Sequence, residues 1–516
     1  MGGCRNLYAV HVLCTVITYL PNPRKETPVT TQPRFFHRRS DSNEETRRLT
    51  GRAWTLLAVS LGTFMTYLDN NIINVAIPTI QRDLNLSQSG IEWVVSAYLL
   101  LFAGLLLAGG RLADVFGRRR LFIVGLAIFT VASLAAGLSG RVDVLIASRA
   151  VQGFGAALLT PPTLAIITTS FPDPRERAGA VGAWSAVGAL ALAVGPLLGG
   201  ILSEDANWHW IFFINVPVGI VTLALASRVI PADGPGRAHG IDQGGILTSI
   251  ISLTSLTYAL IQGPQTGWGN ALVLGAFAMS IAAAVAFVII ERRVDHPMVD
   301  LSIFTDRIFS GGTAALMMWA FGLFGIYFCT SLYLQNVLGF SPIKAGLTFL
   351  PMAILIAGSA AVSDRVAARV GAYRSVGFAM ALMAGGIISI SLLGANVTFL
   401  DLMPGLAIIG IGGGLTIPLT TTILGVQPET RAGIASALFN ASREIAGLFG
   451  ITVIGVVLAS REHAATRAGS PVVTSFLDGY HLGLLVAGAL VAAGGLVAWL
   501  ALRETVPLNA RVVDTQ

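Results

Sequence analysis

Charge is what this sequence has least of. Only 12% of its 516 residues are Asp, Glu, Lys or Arg, where soluble domains carry roughly 25%. With 54% hydrophobic residues and a mean hydropathy of +0.73, a soluble fold would have almost nothing polar to show to water. An integral membrane protein is the reading that remains. Lysine is nearly missing: of 33 basic residues only Lys25 and Lys344 are lysines, a skew that points to a GC-rich genome rather than to a function. No GxxxxGK[ST] stretch occurs, which disfavours an ATP-driven pump and a nucleotide partner. The three cysteines, Cys4, Cys14 and Cys329, are too far apart in sequence for a disulfide framework or a zinc site, and no metal site is expected. No soluble stretch is large enough to house an enzyme's site, and no His stands convincingly beside a Ser or Thr.

Long apolar runs are what the chain does have. A helix needs about 20 apolar residues to cross a bilayer. Such runs fall near 53–75, 91–110, 120–138, 143–168, 179–202, 211–229, 243–262, 270–290, 310–334, 343–362, 374–394, 402–424, 433–459 and 480–502. The fold class is therefore all-α integral membrane with about fourteen spans. An even number places both termini on one side. One set of connecting loops holds Arg118, Arg119, Arg120, Arg175, Arg177, Arg292, Arg293, Arg365 and Arg369, and the alternate set has about a third as many basic residues. By arginine bias the rich set, with both termini, is cytoplasmic. The net charge of +6 and pI near 9.5 are thus topological, and no nucleic-acid partner is implied. Before the first span, MGGCRNLYAVHVLCTVITYL is too short an apolar patch to span and lacks a cleavage site. Residues 1–52 read as a basic, disordered cytoplasmic tail, or as the result of a start codon assigned too far upstream. Residues 506–516 read as a second tail.

The sequence repeats itself. GFGAALLTPP from Gly153 resembles GIGGGLTIPL from Gly410; Gly153, Gly155 and Pro161 lie 257 residues before Gly410, Gly412 and Pro418. Arg177-Ala178-Gly179 returns 254 residues later as Arg431-Ala432-Gly433, and Gly117 returns as Gly371. The shift carries the fourth span to the twelfth, which is eight spans rather than six. Two six-helix halves, 53–229 and 301–505, with two inserted helices and a linker at 230–300, fit that arithmetic. Two halves rocking about a central cavity is how transporters are organised.

GGRLADVFGRRR, residues 109–120, resembles the loop between the second and third helices of the major facilitator superfamily. That resemblance implies a cytoplasmic gating loop. In it Gly110 permits close helix approach and Gly117 the tight turn, while Asp114 accepts backbone N–H bonds and pairs with Arg118. The other reading is a positive-inside anchor. YLDNNIINVAIPTIQRDL from Tyr67, RAVQGFGAAL from Arg149, GPLLGG at 195–200, WHWIFFINVPVG from Trp208 and YLQNVLGFSPIKAGLTFLP from Tyr333 narrow it further. Together these resemble the fourteen-helix drug–proton antiporters of that superfamily, the bacterial multidrug and antibiotic exporters. The GPLLGG resemblance assigns an antiporter helix bend to Gly195, Pro196, Gly199 and Gly200; ordinary helix packing is the alternative.

A charge inside a bilayer costs at least about 2.5–3.5 kcal/mol, so each one needs a reason. Four candidates stand out: Asp69, Arg149, Arg443 and Glu444. Asp69 can take a proton from one side and release it to the other, attract a cationic substrate, or serve as a polar tie to Asn70, Asn71 or a neighbouring helix. Arg149, with Gln152 one helical turn away, either tunes a nearby carboxylate or partners backbone carbonyls. Arg443 and Glu444, being adjacent, should point apart and make poor partners. Glu444 is then a second acidic site, part of a solvated cavity wall, or one side of an ion pair between helices. The resemblance implies export of lipophilic drugs or antibiotics, cationic ones among them, in exchange for protons. It would be a multi-pass plasma-membrane monomer with no cofactor beyond the proton gradient. An importer of a small solute on the same fold and a non-transporting sensor are the alternatives.

Overall fold

The computed structural model describes residues 38–232, 242–295, 297–427, 432–467, 469 and 471–503. Fourteen long helices follow one another: α1 Arg38–Leu84, α2 Gln88–Phe116, α3 Arg118–Gly137, α4 Val142–Ser170, α5 Pro174–Ile201, α6 Trp210–Val229 and α7 Gln243–Thr266. They continue as α8 Ala271–Glu291, α9 Arg307–Leu332, α10 Pro342–Val370, α11 Ala372–Ser391, α12 Phe399–Gly425, α13 Ala432–Arg467 and α14 Val472–Ala501. Among the described residues thirteen helices are long and apolar enough to cross a membrane. The fourteenth, α1, has the length, but Asp69, Asn70, Asn71 and Asn74 lower its mean hydropathy. Each helix covers one of the expected apolar runs. The cores are apolar, and so is much of the outside: Leu272 and Ile281 on α8 are 70% and 65% exposed, as lipid-facing residues must be.

One correction concerns the N-terminal end. The tail expected to be disordered through residue 52 is helical from Arg38. Once the apolar segment has nucleated a helix, each further residue costs little, and the nearest upstream proline is Pro33. The rest of that tail, residues 506–516 and Arg431 of the repeat lie outside the described residues. Helix starts follow local chemistry. Ser87 accepts the Gly90 N–H at 3.2 Å, Asp173 accepts from Arg175 and Glu176 at 2.9 and 3.0 Å, and Thr398 and Asp401 form a reciprocal capping box.

The packing repeats at an interval of eight helices. In the first half α4 packs on α2 and α3, α1 on α5 and α6, and α6 on α3. In the second half α12 packs on α10 and α11, α9 on α13 and α14, and α14 on α11. Paired glycines make the correspondence concrete. A Cβ on Gly153 would lie 3.1 Å from the Tyr98 Cα, and one on Gly410 would lie 3.2 Å from the Met352 Cα. Gly155 meets the Phe129 N at 2.6 Å as Gly412 meets the Met383 N at 2.7 Å. Tyr98 and Phe129 lie 254 residues before Met352 and Met383. Gly117 and Gly371 share a positive φ, 95° and 89°. Gly153→Val therefore drives a branched side chain into the α2 backbone. A loss of about 1–3 kcal/mol is expected, read as a lower thermal unfolding midpoint of the detergent-solubilised protein.

The halves meet along two seams, α5 against α10 and α2 against α13, which the repeat exchanges for each other. Gly200 abuts Pro342 and Ile343, and Gly346 abuts Pro196 and Leu197. Glu204 accepts the Ile343 N–H at 2.9 Å. On the other seam Ser96 and Thr452 hydroxyls are 3.5 Å apart. Ser331 on α9 donates to the Asn74 carbonyl of α1 at 2.6 Å. These contacts lie toward the end away from the arginine-rich loops. Exposed Lys344 sits on this rim, its ammonium 3.7 Å from the Phe340 ring centroid. The added helices α7 and α8 pack on each other, and α7 lies against α2 and α13 beside the second seam.

Candidate functional site

Asp69 is fully buried at mid-helix on α1, and the first half is folded around it. Its Oδ2 is ion-paired to Arg149 Nη1 of α4. Its Oδ1 accepts from Gln152 Nε2 at 2.8 Å and from Asn215 Nδ2 of α6 at 3.0 Å. Arg149 also donates to Gln152 Oε1 at 2.9 Å and, through Nε, to the Val94 carbonyl of α2 at 3.3 Å. Gln152 donates on to Ser133 Oγ of α3 at 2.8 Å. Five helices thus converge on one carboxylate. The guanidinium lies 4.4 Å from the Tyr98 ring centroid and 5.8 Å from that of Phe212, where aromatic faces favour a desolvated cation. Such pairing offsets the cost of burying both charges.

The spacing of Arg149 and Gln152 brings them together as expected, and both reach Asp69. Asn215, Ser133 and Tyr98 were not foreseen. They are ordinary polar residues within apolar runs, and only their position on converging helices marks them. Among the described residues three buried atoms here have no hydrogen-bond partner: Arg149 Nη2, Asn215 Oδ1 and the Tyr98 hydroxyl. Each can serve a visiting water or solute.

The second acidic site corrects the expectation that Arg443 and Glu444 point apart. Arg443 Nε and Nη2 reach Glu444 Oε1 at 3.1 and 2.7 Å. A long guanidinium stem can fold back around the helix, and in a low-dielectric interior the gain from pairing outweighs the bend. Nη2 also donates to the Tyr67 hydroxyl at 3.0 Å. Tyr67 lies two residues before Asp69, so α1 touches the second half's charges while holding its own inward. Glu444 is 2% exposed, and its Oε2 is unpartnered.

At the arginine-rich end, Asp114 and Arg118 pair at 3.7 Å with both side chains partly exposed. Arg118 also donates to the Ala165 carbonyl at 3.4 Å. Among the described residues no backbone N–H is recorded on Asp114, so the pair, not a cap, is what forms. Gly110 makes only an ordinary contact, 3.7 Å to Pro161. The tight approach to α4 is made by its neighbour Gly109, which meets the backbone of Ala157 and Leu158. In the GPLLGG stretch, Gly195 faces Asn71 and Gly199 faces Ile72 of α1, while Gly200 and Pro196 face α10. The motif lies both inside its half and on the seam.

The profile of the Major Facilitator Superfamily matches residues 59–451. The chain is 34% identical to the multidrug resistance protein Stp of Mycobacterium tuberculosis over 407 residues, 79% of this chain and 76% of that one. It is 34% identical to the puromycin resistance protein pur8 of Streptomyces alboniger over 458 residues, covering 87% and 91%. To the tetracenomycin C resistance and export protein of Streptomyces glaucescens it is 35% identical over 416 residues, covering 80% and 77%. Its fold is similar to the crystal structure of a bacterial homolog of the human lysosomal transporter Spinster, inward-facing and unoccupied. The TM-score is 0.63 at 17% identity, with 88% of this chain and 97% of that chain covered.

Proposed function

The chain belongs to the Major Facilitator Superfamily, and from that premise we propose that it exports lipophilic drugs or antibiotics, cationic ones among them, in exchange for protons. It is a multi-pass membrane transporter, and its relatives include antibiotic and multidrug resistance proteins. In the proposed orientation the arginine-rich loops and both termini are cytoplasmic. The seam contacts then close the outer end. The observation that carries the exchange reading is the buried Asp69–Arg149 pair, tied through Tyr67's place on α1 to Arg443 and Glu444.

Ionised Asp69 is held by one cation and two amides. A proton cancels that charge and frees the guanidinium from its partner, so the network has two arrangements. On the facing wall Glu444 presents an unpartnered oxygen at which a cationic substrate finds its complement. Protonation and substrate binding then act on one rocking equilibrium, each shifting it by its preference for one of the two states. Each pH unit of gradient is worth about 1.4 kcal/mol per proton, enough for about tenfold accumulation of a substrate exchanged one for one. The resemblance of GPLLGG to the antiporter motif supports export over uptake, and its residues pack on α1 and on the α5–α10 seam. No resident cofactor is required.

The test uses purified protein in liposomes and ethidium as the probe. Movement against its gradient should follow an imposed pH difference and stop when an ionophore abolishes it. Equal accumulation with neither pH difference nor voltage overturns the reading.

A further inference from the structure

Glu92 is a buried acid that the network above does not use. It lies on α2, one turn from the helix start at the arginine-poor end, and is only 1% exposed. Its carboxyl rests on Gly455 of α13 in the other half: a Cβ added there would meet Oε1 at 2.5 Å and Cδ at 2.7 Å. One turn deeper, Ser96 and Thr452 make the next contact of the same seam. Its recorded hydrogen bond comes from Gln88 Nε2 at 3.4 Å, a long one.

Among the described residues the surroundings offer no positive charge. α2 itself supplies Gln88, α13 supplies Gly455 and Thr452, and α7 supplies Tyr258, which packs on neighbouring Trp93. Arg149 of α4 reaches the α2 backbone at Val94 but is paired with Asp69. Among the described residues no charged group is recorded as acting on Glu92. A bare carboxylate here would be an unpaired buried charge, which costs several kcal/mol, whereas a neutral acid fits an apolar seam against glycine.

We propose that Glu92 is a proton-binding site of the α2–α13 seam, occupied when the halves close at this end and emptied when they part. The lid over it is the opposite half, so parting the helices exposes the carboxyl to the water on that side. Closing takes one proton from that water and opening returns it to the same side. This proton is not carried across, adds nothing to the exchange ratio, and lets acidity at that face favour closure. The proposal stands whether or not Asp69 carries a transported proton.

Spin labels at Arg141→Cys in the first half and Arg461→Cys in the second, with the three natural cysteines changed to serine, read the separation of these ends in the purified full chain. In the parent chain the parted population should grow from about pH 5 to about pH 9. Glu92→Gln, which mimics the protonated acid, should stay closed across that range, with about tenfold less of the parted state at the alkaline end. Asp69→Asn, which removes that carboxyl's own influence on the halves, should keep a pH response at this end that adding Glu92→Gln abolishes. A parent distribution that ignores pH overturns the site, as does a Glu92→Gln protein that responds like the parent.

Discussion

Asp69→Asn should abolish gradient-driven export while the protein still reaches the membrane. Asparagine retains an oxygen for Gln152 or Asn215 but neither charge nor exchangeable proton. Arg149, fully buried between Tyr98 and Phe212, is left without its counter-ion. Removing one partner of a buried pair costs about 3–5 kcal/mol, so a lower unfolding temperature is expected alongside lost transport. The two effects separate in Asp69→Asn/Arg149→Gln. Removing both charges should restore most of the stability, because no unpaired ion remains, and restore none of the transport. Ethidium accumulation and thermal unfolding measured on the same preparations check this. Full resistance to drugs in cells carrying Asp69→Asn would remove this carboxyl from the mechanism.

Gly346→Leu should hold the two halves apart at the outer end. A Cβ at that position would lie 3.0 Å from the Pro196 carbonyl carbon and 3.2 Å from the Leu197 Cα, and a leucine adds three more carbons. Overpacking costs about 1–3 kcal/mol, comparable to the gap of a few kcal/mol between conformers of a rocking protein. The clash is relieved by parting a seam rather than by unfolding a helix. Folding stability should therefore change little, while the closed population falls by about tenfold to a hundredfold. Water-soluble thiol reagents applied from outside should reach a cysteine placed at Ser96 far faster than in the parent. Unchanged reagent access with normal transport would show that this contact does not govern the state.

Much of the fold was legible because the bilayer imposes a strong pattern: spans of bilayer length can be read off hydropathy alone. The eight-helix repeat was legible because glycines that let backbones touch cannot easily be replaced, so Gly153 and Gly410 preserve their spacing. The site was only partly legible. A charge in an apolar run announces itself, which is how Asp69, Arg149 and Glu444 were found. Asn215 and Ser133 do not, since one amide or hydroxyl among apolar residues is common. Their role depends on where helices cross. Arg443 was misjudged because angular separation on a helix constrains Cβ atoms, not the tip of a long side chain. Glu92 also lay inside an expected span, yet it sits near the start, where a charge reads as belonging to the interface. Only the helix of the other half, laid over it, makes it buried.

The near-absence of lysine leaves the molecule a built-in handle. Lys344 stands exposed over Phe340, two residues past Pro342 and two before Gly346. The other ammonium side chain is Lys25. With Lys25 changed to arginine, an acylating fluorophore would therefore place its side-chain dye at the mouth between the lobes, in a position to report each opening as a change in colour or brightness.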